Sequence, residues 1–289
     1  MPDTSPRGDS VPNVDAYDLG IGAGFYVDAT AEPYRAHYRM YTYVSSELPD
    51  FLERHFNIGG NGCRSLCGHS MGGHGALTIS LKEPRGSWAA VSALAPICNP
   101  SDPSCLWGTK AFDAYLVGGI EAGKAHDATE LLMGMVANGG GERTPIFDEI
   151  MIDYGTKDEF LHYLSPEKFV EAASLCGQKV TCNAREGYDH SYHFVSSFVE
   201  DHVKFHGSRL RLRQAMVSAA SVASEDAPAT TAGRPIECMA MVARAPKMPL
   251  SLETVTVDPP RAGEVRVKVI CNALCHTDVY TLDGLDPEG

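Results

Sequence analysis

Basic side chains and long apolar stretches are both scarce in this sequence of 289 residues. It has 24 lysines and arginines against 37 aspartates and glutamates, a formal net charge of −13. Such an acidic chain is not expected to bind nucleic acid or an anionic membrane surface. No apolar run approaches the roughly 18 residues of a membrane span, and residues 1–10 lack an apolar core. The sequence therefore predicts neither a membrane helix nor a secretory signal, and we expect a cytoplasmic protein.

The cysteines lack the even number that a disulfide framework requires. There are nine, and without a predicted signal they are interpreted as reduced thiols. Cys63/Cys67 and Cys271/Cys275 have C-x-x-x-C spacing, which is weak evidence for a metal site when no second pair lies at zinc-finger distance. We therefore expect neither a bound metal nor a cofactor.

Composition divides the chain into three zones. Residues 1–206 are mixed and rich in glycine, histidine and tyrosine. Residues 207–235 are rich in alanine, serine and threonine, too poor in large apolar side chains to offset the entropy of ordering, and are predicted to be a linker. Its first third, 210–216, is open to continuing the preceding helix. In residues 236–289 apolar and polar side chains alternate again, and the valines at 265, 267 and 269 predict a half-buried strand.

The first zone alternates between helical and extended patterns. Short apolar runs predict strands at residues 63–67, 88–96, 146–154 and 180–185. Helical periodicity, Pro33 at a helix start and Pro84 after a helix end predict helices at residues 32–56, 72–82, 166–176 and 191–206. Strands that alternate with helices favour an α/β fold, a parallel sheet with helices on both faces.

The most specific motif is G-x-S-x-G, which spans residues 68–72 with Ser70 at its centre. It follows a predicted strand and opens a helix of small residues, the context of a nucleophile elbow. The backbone N–H of Met71 would then face the developing oxyanion at a helix N-terminus. The alternative is a glycine-rich helix start with Ser70 as an ordinary N-cap.

A serine nucleophile needs a histidine base and a carboxylate, which follow the serine in that fold in the order acid, then histidine. Asp158 lies in the loop after the predicted strand 146–154. Asp153 is its competitor but lies within the strand. His190 lies between the last strand and the last helix. The remaining candidates fall inside that helix and are interpreted as surface or packing residues: His193, His202 and His206.

Weaker features remain ambiguous. The glycine-rich segment 20–24 lacks G-x-G-x-x-G spacing and is interpreted as a packed loop. Trp107 and Tyr115 are either pocket walls or, more commonly for such residues, core.

Seven stretches within residues 2–206 resemble the S-formylglutathione hydrolases of the esterase D family: 2–8, 22–30, 38–41, 68–77, 95–100, 158–161 and 186–192. The resemblance implies an α/β-hydrolase fold, a small glutathione thioester as substrate and hydrolysis of S-formylglutathione to glutathione and formate. The family's triad falls on Ser70, Asp158 and His190. A homodimer is a further expectation.

The family pattern begins upstream of residue 2, so the resemblance also implies that the first strands and the loop with the second oxyanion N–H are missing. We therefore expect poor solubility and weak activity. Two rival hypotheses are a carboxylesterase of broader specificity and a truncated, non-catalytic fragment.

Residues 236–289 resemble the N-terminus of class III alcohol dehydrogenase, the glutathione-dependent formaldehyde dehydrogenase. The similar stretches are 237–243, 249–253, 259–260, 264–270, 275–282 and 286–289. The resemblance implies a small β-rich, GroES-like fragment in which Cys275 would be a zinc ligand only in a complete dehydrogenase, with His276 near a cofactor phosphate and Asp278 behind the metal. A catalytic zinc needs three protein ligands, so a zinc- and NAD-dependent oxidoreductase is the least favoured hypothesis.

Overall fold

The computed structural model describes residues 3–56, 58–137, 145–222, 233–248 and 250–266. These residues divide into two compact units. The larger contains Asp3–Pro49 and Gly59–Ala219, and the smaller contains Asp50–Ile58 and the described residues from Ala220 onward.

A four-stranded parallel sheet organises the larger unit, and its strand order follows the chain. The strands are β1 Ser65–His69, β2 Ala90–Leu94, β3 Ile150–Gly155 and β4 Val180–Arg185. Because all four run in the same direction, their carboxyl ends meet at one edge of the sheet. Ser70 and the loops that follow β3 and β4 therefore lie at that edge.

Nine α-helical segments are present in the described residues, and a π-helical turn at Tyr43–Glu47 joins the first two. They are α1 Met40–Thr42, α2 Leu48–Phe56, α3 Met71–Lys82, α4 Leu106–Tyr115, α5 Gly119–Gly123, α6 Ala128–Ala137, α7 Leu161–Leu164, α8 Pro166–Cys176 and α9 Tyr192–Val222. Within the described part of the chain, none has the length and apolar character to span a membrane.

The two faces of the sheet differ in chemistry. Every residue of β2 is buried, as expected of a strand covered on both sides. One face packs apolar side chains of the sheet, such as Val91 and Ile152, against α3, α6 and α8. The other face carries Ser92 in contact with α9, where Phe205 packs against Met151. Helices on both faces agree with the predicted α/β class.

The helix predicted to begin near residue 32 starts later, at Met40. Residues 31–39 form turns instead, and the end of this segment pairs with the extended residues that precede it. The Ala29 N–H donates to the carbonyl of Tyr38, and the Met40 N–H donates to that of Val27. The Asp28 carboxylate then accepts from the Thr42 N–H at 3.0 Å. This local pairing outweighs the helical periodicity.

Apart from the C-terminal end of the last helix, the other predicted strand and helix boundaries agree to within a few residues, and β4 and α8 match at both ends. Sequence reasoning did not predict α4 or α6. Gly108 interrupts the pattern of α4 and lies against the Pro100 carbonyl, where a Cβ would overlap it. That helix therefore depends on a tertiary contact that periodicity does not reveal.

The segment 207–235 is predicted to be a linker, but its first part is helical. Helix α9 continues into the segment and ends at Val222. Arg209 donates to Glu149 at 2.5 Å, and Arg213 donates to the carbonyl oxygens of Asn61 and Gly86. These arginines anchor the helix extension to the sheet unit, although the composition is poor in large apolar side chains.

In its described residues the smaller unit forms an antiparallel hairpin, β5 Ile236–Val242 with β6 Ser251–Val257. Arg244 and Glu253 form an ion pair in it. Of the strand predicted at 265–269, residues 267–269 lie outside the described residues.

Candidate active site

Ser70 occupies a sharp turn between β1 and α3. Its backbone φ is 57° and its ψ is −118°, a strained conformation for a residue with a side chain. The Ser70 N–H donates to the carbonyl of Leu94 at 2.9 Å, which ties the turn to β2. This is the strand–turn–helix context that the motif predicts.

Glycine is required beside this serine. A Cβ at Gly68 would overlap the carbonyl of Gly72, and a Cβ at Gly75 would overlap the ring of Tyr26. The turn can close, and α3 can approach Tyr26, only because these positions carry no side chain.

A continuous hydrogen-bonded chain links Ser70, His190 and Asp158, which we call the elbow group. Ser70 Oγ lies 2.9 Å from His190 Nε2, and His190 Nδ1 lies 2.6 Å from Asp158 Oδ2. With the histidine proton on Nδ1, the imidazole donates to the carboxylate and accepts from the hydroxyl. The Asp158 side chain is fully buried, whereas the His190 side chain is 13% exposed. The structure thus brings all three sequence-predicted residues together.

The loop with Asp158 is held against the loop with His190 by backbone contacts. The Lys157 N–H donates to the Tyr188 carbonyl at 2.8 Å, and a Cβ at Gly155 would overlap that same carbonyl. The second carboxylate oxygen of Asp158 accepts from the Phe160 N–H at 2.8 Å. These contacts fix the orientation of the carboxylate toward the imidazole.

Met71 is the first residue of α3 and directly follows Ser70. The first N–H groups of an α-helix have no intrahelical acceptor, and the helix dipole favours negative charge there. The predicted oxyanion donor therefore lies at a helix N-terminus beside the nucleophile candidate.

Aromatic rings surround His190. Its ring centroid lies 4.7 Å from that of His69 and 5.2 Å from that of Phe160. Trp107 continues this wall, with its ring centroid 4.8 Å from Phe160. Tyr115 lies instead in the core, fully buried and hydrogen-bonded to the Ala23 carbonyl and the Gly20 N–H. Of the two ambiguous aromatics, only Trp107 is near the site.

The competing acid and two of the three competing histidines lie in a second polar cluster on the face of the sheet covered by α9, which we call the sheet-face group: Ser92, His202, His206 and Asp153. Ser92 Oγ lies 2.7 Å from both His202 Nδ1 and His206 Nε2. Asp153 accepts instead from Asn183 and Arg185 at 2.7 and 2.6 Å. His193 is exposed and stacks on Tyr188. These positions agree with the packing roles expected from the sequence.

No cluster of three or more His, Cys, Asp or Glu side chains suited to a metal ion occurs in the described ranges. Cys67 lies near the sheet-face group, with Sγ 3.3 Å from Ser92 Oγ. Cys271, Cys275, His276 and Asp278 lie outside the described residues.

Sequence reasoning missed three residues that shape this site: His69, Gly155 and Phe160. The position of His69 inside the motif was the available signal, because a neighbour of the nucleophile must lie close to it. Gly155 ends β3, where a glycine indicates close backbone approach. The contact of Phe160 with His190 joins distant parts of the chain, and no local pattern predicts it.

Comparison with known proteins places this geometry in context. The model of the Esterase family matches residues 1–205. The S-formylglutathione hydrolase of Paracoccus denitrificans is 46% identical over 210 residues, which are 73% of this chain and 71% of that protein. A solved structure of an S-formylglutathione hydrolase from Agrobacterium tumefaciens is 43% identical, with a TM-score of 0.65 over 72% of each chain. The α/β-hydrolase-like fold is therefore shared with esterases.

Proposed function

This chain belongs to the Esterase family of serine hydrolases, and from that premise we propose that it hydrolyses S-formylglutathione to glutathione and formate. Ser70 is the proposed nucleophile, His190 the base and Asp158 the residue that orients the base. The hydrogen-bonded chain from Ser70 through His190 to Asp158 on a strained elbow is the observation that carries the proposal. The names of the two similar hydrolases support the choice of substrate.

In the proposed first step, Ser70 Oγ attacks the formyl carbonyl carbon while His190 Nε2 takes the hydroxyl proton. The buried Asp158 carboxylate stabilises the imidazolium that forms. The Met71 N–H stabilises the oxyanion of the tetrahedral intermediate, aided by the N-terminus of α3. The intermediate collapses, the C–S bond breaks and the glutathione sulfur leaves with the proton from His190.

In the proposed second step, water attacks the formyl ester on Ser70. His190 removes a proton from that water and returns it to Ser70 Oγ as the C–O bond to the serine breaks. Formate is released and the elbow group returns to its starting state. No oxidant, reductant or metal is needed for this balance.

Substrate preference tests the proposal. Purified chain is assayed with S-formylglutathione and with p-nitrophenyl butyrate, and Ser70→Ala serves as the control. We expect kcat/KM for the thioester to exceed that for the butyrate ester, and both activities to disappear in the variant. A preference for the longer acyl chain would favour the carboxylesterase hypothesis. Near-normal turnover in Ser70→Ala would contradict the serine mechanism itself.

Further expectations for the rest of the molecule rest on the sequence alone. We propose that residues 236–289 derive from the N-terminal part of a class III alcohol dehydrogenase, joined to the hydrolase as a consecutive step of formaldehyde detoxification. We also propose a cytoplasmic homodimer. Sedimentation equilibrium tests the dimer, and a monomer at micromolar concentration would contradict it.

A further inference from the structure

His69 is the last residue of β1 and directly precedes Ser70, and the centroid of its ring lies 4.7 Å from that of His190. The two planes are inclined by 38°. The centroid of the Tyr192 ring lies 5.9 Å from that of His69. His69 therefore contacts both an aromatic side chain and the proposed base.

The hydrogen bonding of His69 is incomplete. Its Nε2 is buried and has no hydrogen-bond partner among the described residues. Burial, and secondarily the neighbouring His190, lower the pKa of His69 to about 4, while Asp158 opposes this shift. His69 is therefore neutral near pH 7 and places no like charge beside the base. An apolar ring could fill the same space without leaving a polar atom unpaired.

A second ring also contacts His190. The Phe160 ring meets it nearly edge-on, at an interplanar angle of 86°. The hydrogen bonds to Asp158 and Ser70 fix the two nitrogens of His190, but they leave the ring able to tilt about the line between them. Contacts from the two neighbouring rings oppose that tilt.

We propose that His69 is a positioning residue whose ring holds the imidazole of His190 in line with Ser70. This inference rests on the proposed function, since it assigns a role to a neighbour of the proposed base. It places the effect in the contact between rings rather than in the nitrogens of His69. A displacement of about 1 Å at a reacting group can lower a rate about 100-fold, so loss of this contact has a measurable consequence.

Three variants of the full chain test the proposal: His69→Ala, His69→Phe and His193→Ala. The first removes the ring, and the second keeps a ring without nitrogens. The third is the matched control, an exposed histidine that stacks on Tyr188. The measurements are kcat and KM with S-formylglutathione, and the rate at which a small fluorophosphonate labels Ser70. The labelling rate reports on the nucleophile without depending on the thioester.

We expect His69→Ala to lower kcat and the labelling rate by about 10- to 100-fold, with KM nearly unchanged. His69→Phe should recover most of both rates, and the pH dependence of its kcat should match that of the parent protein above pH 5. His193→Ala should match the parent. Full activity in His69→Ala would overturn the inference, as would a His69→Phe protein no faster than His69→Ala.

Failure of the proposed function gives different results. If the parent labels at Ser70 but does not hydrolyse S-formylglutathione, the substrate is wrong and the labelling rates still decide the role of His69. If Ser70 in the parent does not react with the fluorophosphonate, the proposed mechanism and the inference both fail. A lower melting temperature for His69→Ala with an unchanged labelling rate would mean a purely structural role and would also overturn the inference.

Discussion

Two polar groups among the described residues of the larger unit contain serine, histidine and aspartate, and the elbow group is the one whose hydrogen bonds match the proposed catalytic arrangement. In the elbow group, one imidazole bridges hydroxyl and carboxylate with both distances below 3 Å. In the sheet-face group, His202 Nδ1 contacts Ser92, but its Nε2 is 3.9 Å from Asp153. Proximity of the three residue types is therefore a weak criterion by itself.

The two serines differ in backbone and access. Ser70 lies on a turn with φ at 57°, immediately before a helix N-terminus. Ser92 lies in the middle of a central strand and is fully buried. A substrate carbonyl can approach a residue at the sheet edge, whereas β2 is covered on both faces. Strain and exposure thus accompany the serine proposed to react.

The two carboxylates differ in their partners. Asp158 gives one oxygen to His190 and the other to a backbone N–H. Asp153 instead accepts from Arg185 at 2.6 Å, and the nearest nitrogen of His202 is 3.9 Å from its carboxylate. The arginine turns one aspartate into a structural ion pair, and its absence beside the other leaves a carboxylate available to the base.

The largest expected difference between the groups is in turnover. Ser70→Ala should lower kcat by about 10⁴- to 10⁶-fold, because nothing else supplies the nucleophile. Ser92→Ala should leave kcat per folded molecule within about threefold but lower the melting temperature. It removes the hydroxyl between two buried imidazoles, and unpaired buried groups cost about 1–3 kcal/mol each. Assays and thermal unfolding on the same preparations separate the two effects.

The contrary result would be a large loss of turnover in Ser92→Ala without loss of stability. It would mean that the sheet-face group acts in catalysis. Combining Ser70→Ala with His190→Ala is a further check, because residues that act as a unit give non-additive losses.

The elbow group was accessible to sequence reasoning because its signals are local. Gly68 and Gly72 mark the elbow, and each partner follows a predicted strand in the expected order. Its catalytic role stays a prediction until the variants are measured. The helix at 71–82 and strand β4 were likewise predicted, since their apolar periodicity and flanking residues agree with the final structure.

The sheet-face group was not accessible, and neither was the contact of His69 with His190. Ser92 meets His202 and His206 across more than 100 residues of chain, and nothing near Ser92 indicates polar partners. The prediction that the first helix begins near residue 32 was wrong for a similar reason. The helix begins at Met40, where Thr42 bonds to the Asp28 carboxylate, which lies outside the periodic segment. Local sequence patterns indicate which side of a helix or strand is apolar and where turns occur. The contacts of Ser92, His69 and Asp28 depend instead on which distant segments the folded sheet brings together.

Replacing Asp158 and Asp153 should have different effects on turnover and stability. Asp158→Asn should lower kcat by about 10⁴-fold, because an amide favours the wrong tautomer of the histidine, with little change in stability. Asp153→Asn should leave kcat nearly unchanged and cost about 1–3 kcal/mol of stability. That cost stays below the cost of breaking a fully buried ion pair, because Arg185 keeps its contact with Asp201 and is partly exposed. Equal kinetic losses in both variants would refute the distinction between the carboxylates.

The histidines of the sheet-face group should make stability depend on pH. Burial lowers the pKa of His206 to about 4, and burial also lowers the pKa of His202. The pKa of a histidine in an unfolded chain is about 6.5, so as the pH falls the unfolded state binds protons before the folded state does. Stability from His206 is thus complete above pH 6.5 and declines until about pH 4, by about 3 kcal/mol.

Urea unfolding midpoints at several pH values between 7 and 4 measure this decline. His206→Gln should flatten the curve without abolishing its slope, because burial also lowers the pKa of His74 and His126. A variant whose curve runs parallel to that of the parent would show that the pKa of His206 is the same in the folded and unfolded states.

The smallest expected effect concerns Cys67, whose thiol contacts Ser92 although its strand ends at the elbow. Burial raises the pKa of this thiol, so it stays protonated and reacts slowly. Cys67→Ala should change turnover by less than about twofold and stability by about 1 kcal/mol, since Ser92 keeps both imidazole partners. Cys67 and Cys238 are both exposed residues, but the raised pKa leaves the Cys67 thiol less ionised, so iodoacetamide should modify Cys238 first, with turnover intact. If instead alkylation abolished turnover in the parent and spared Cys67→Ala, the thiol would be coupled to Ser70, and the two groups could not be treated as separate.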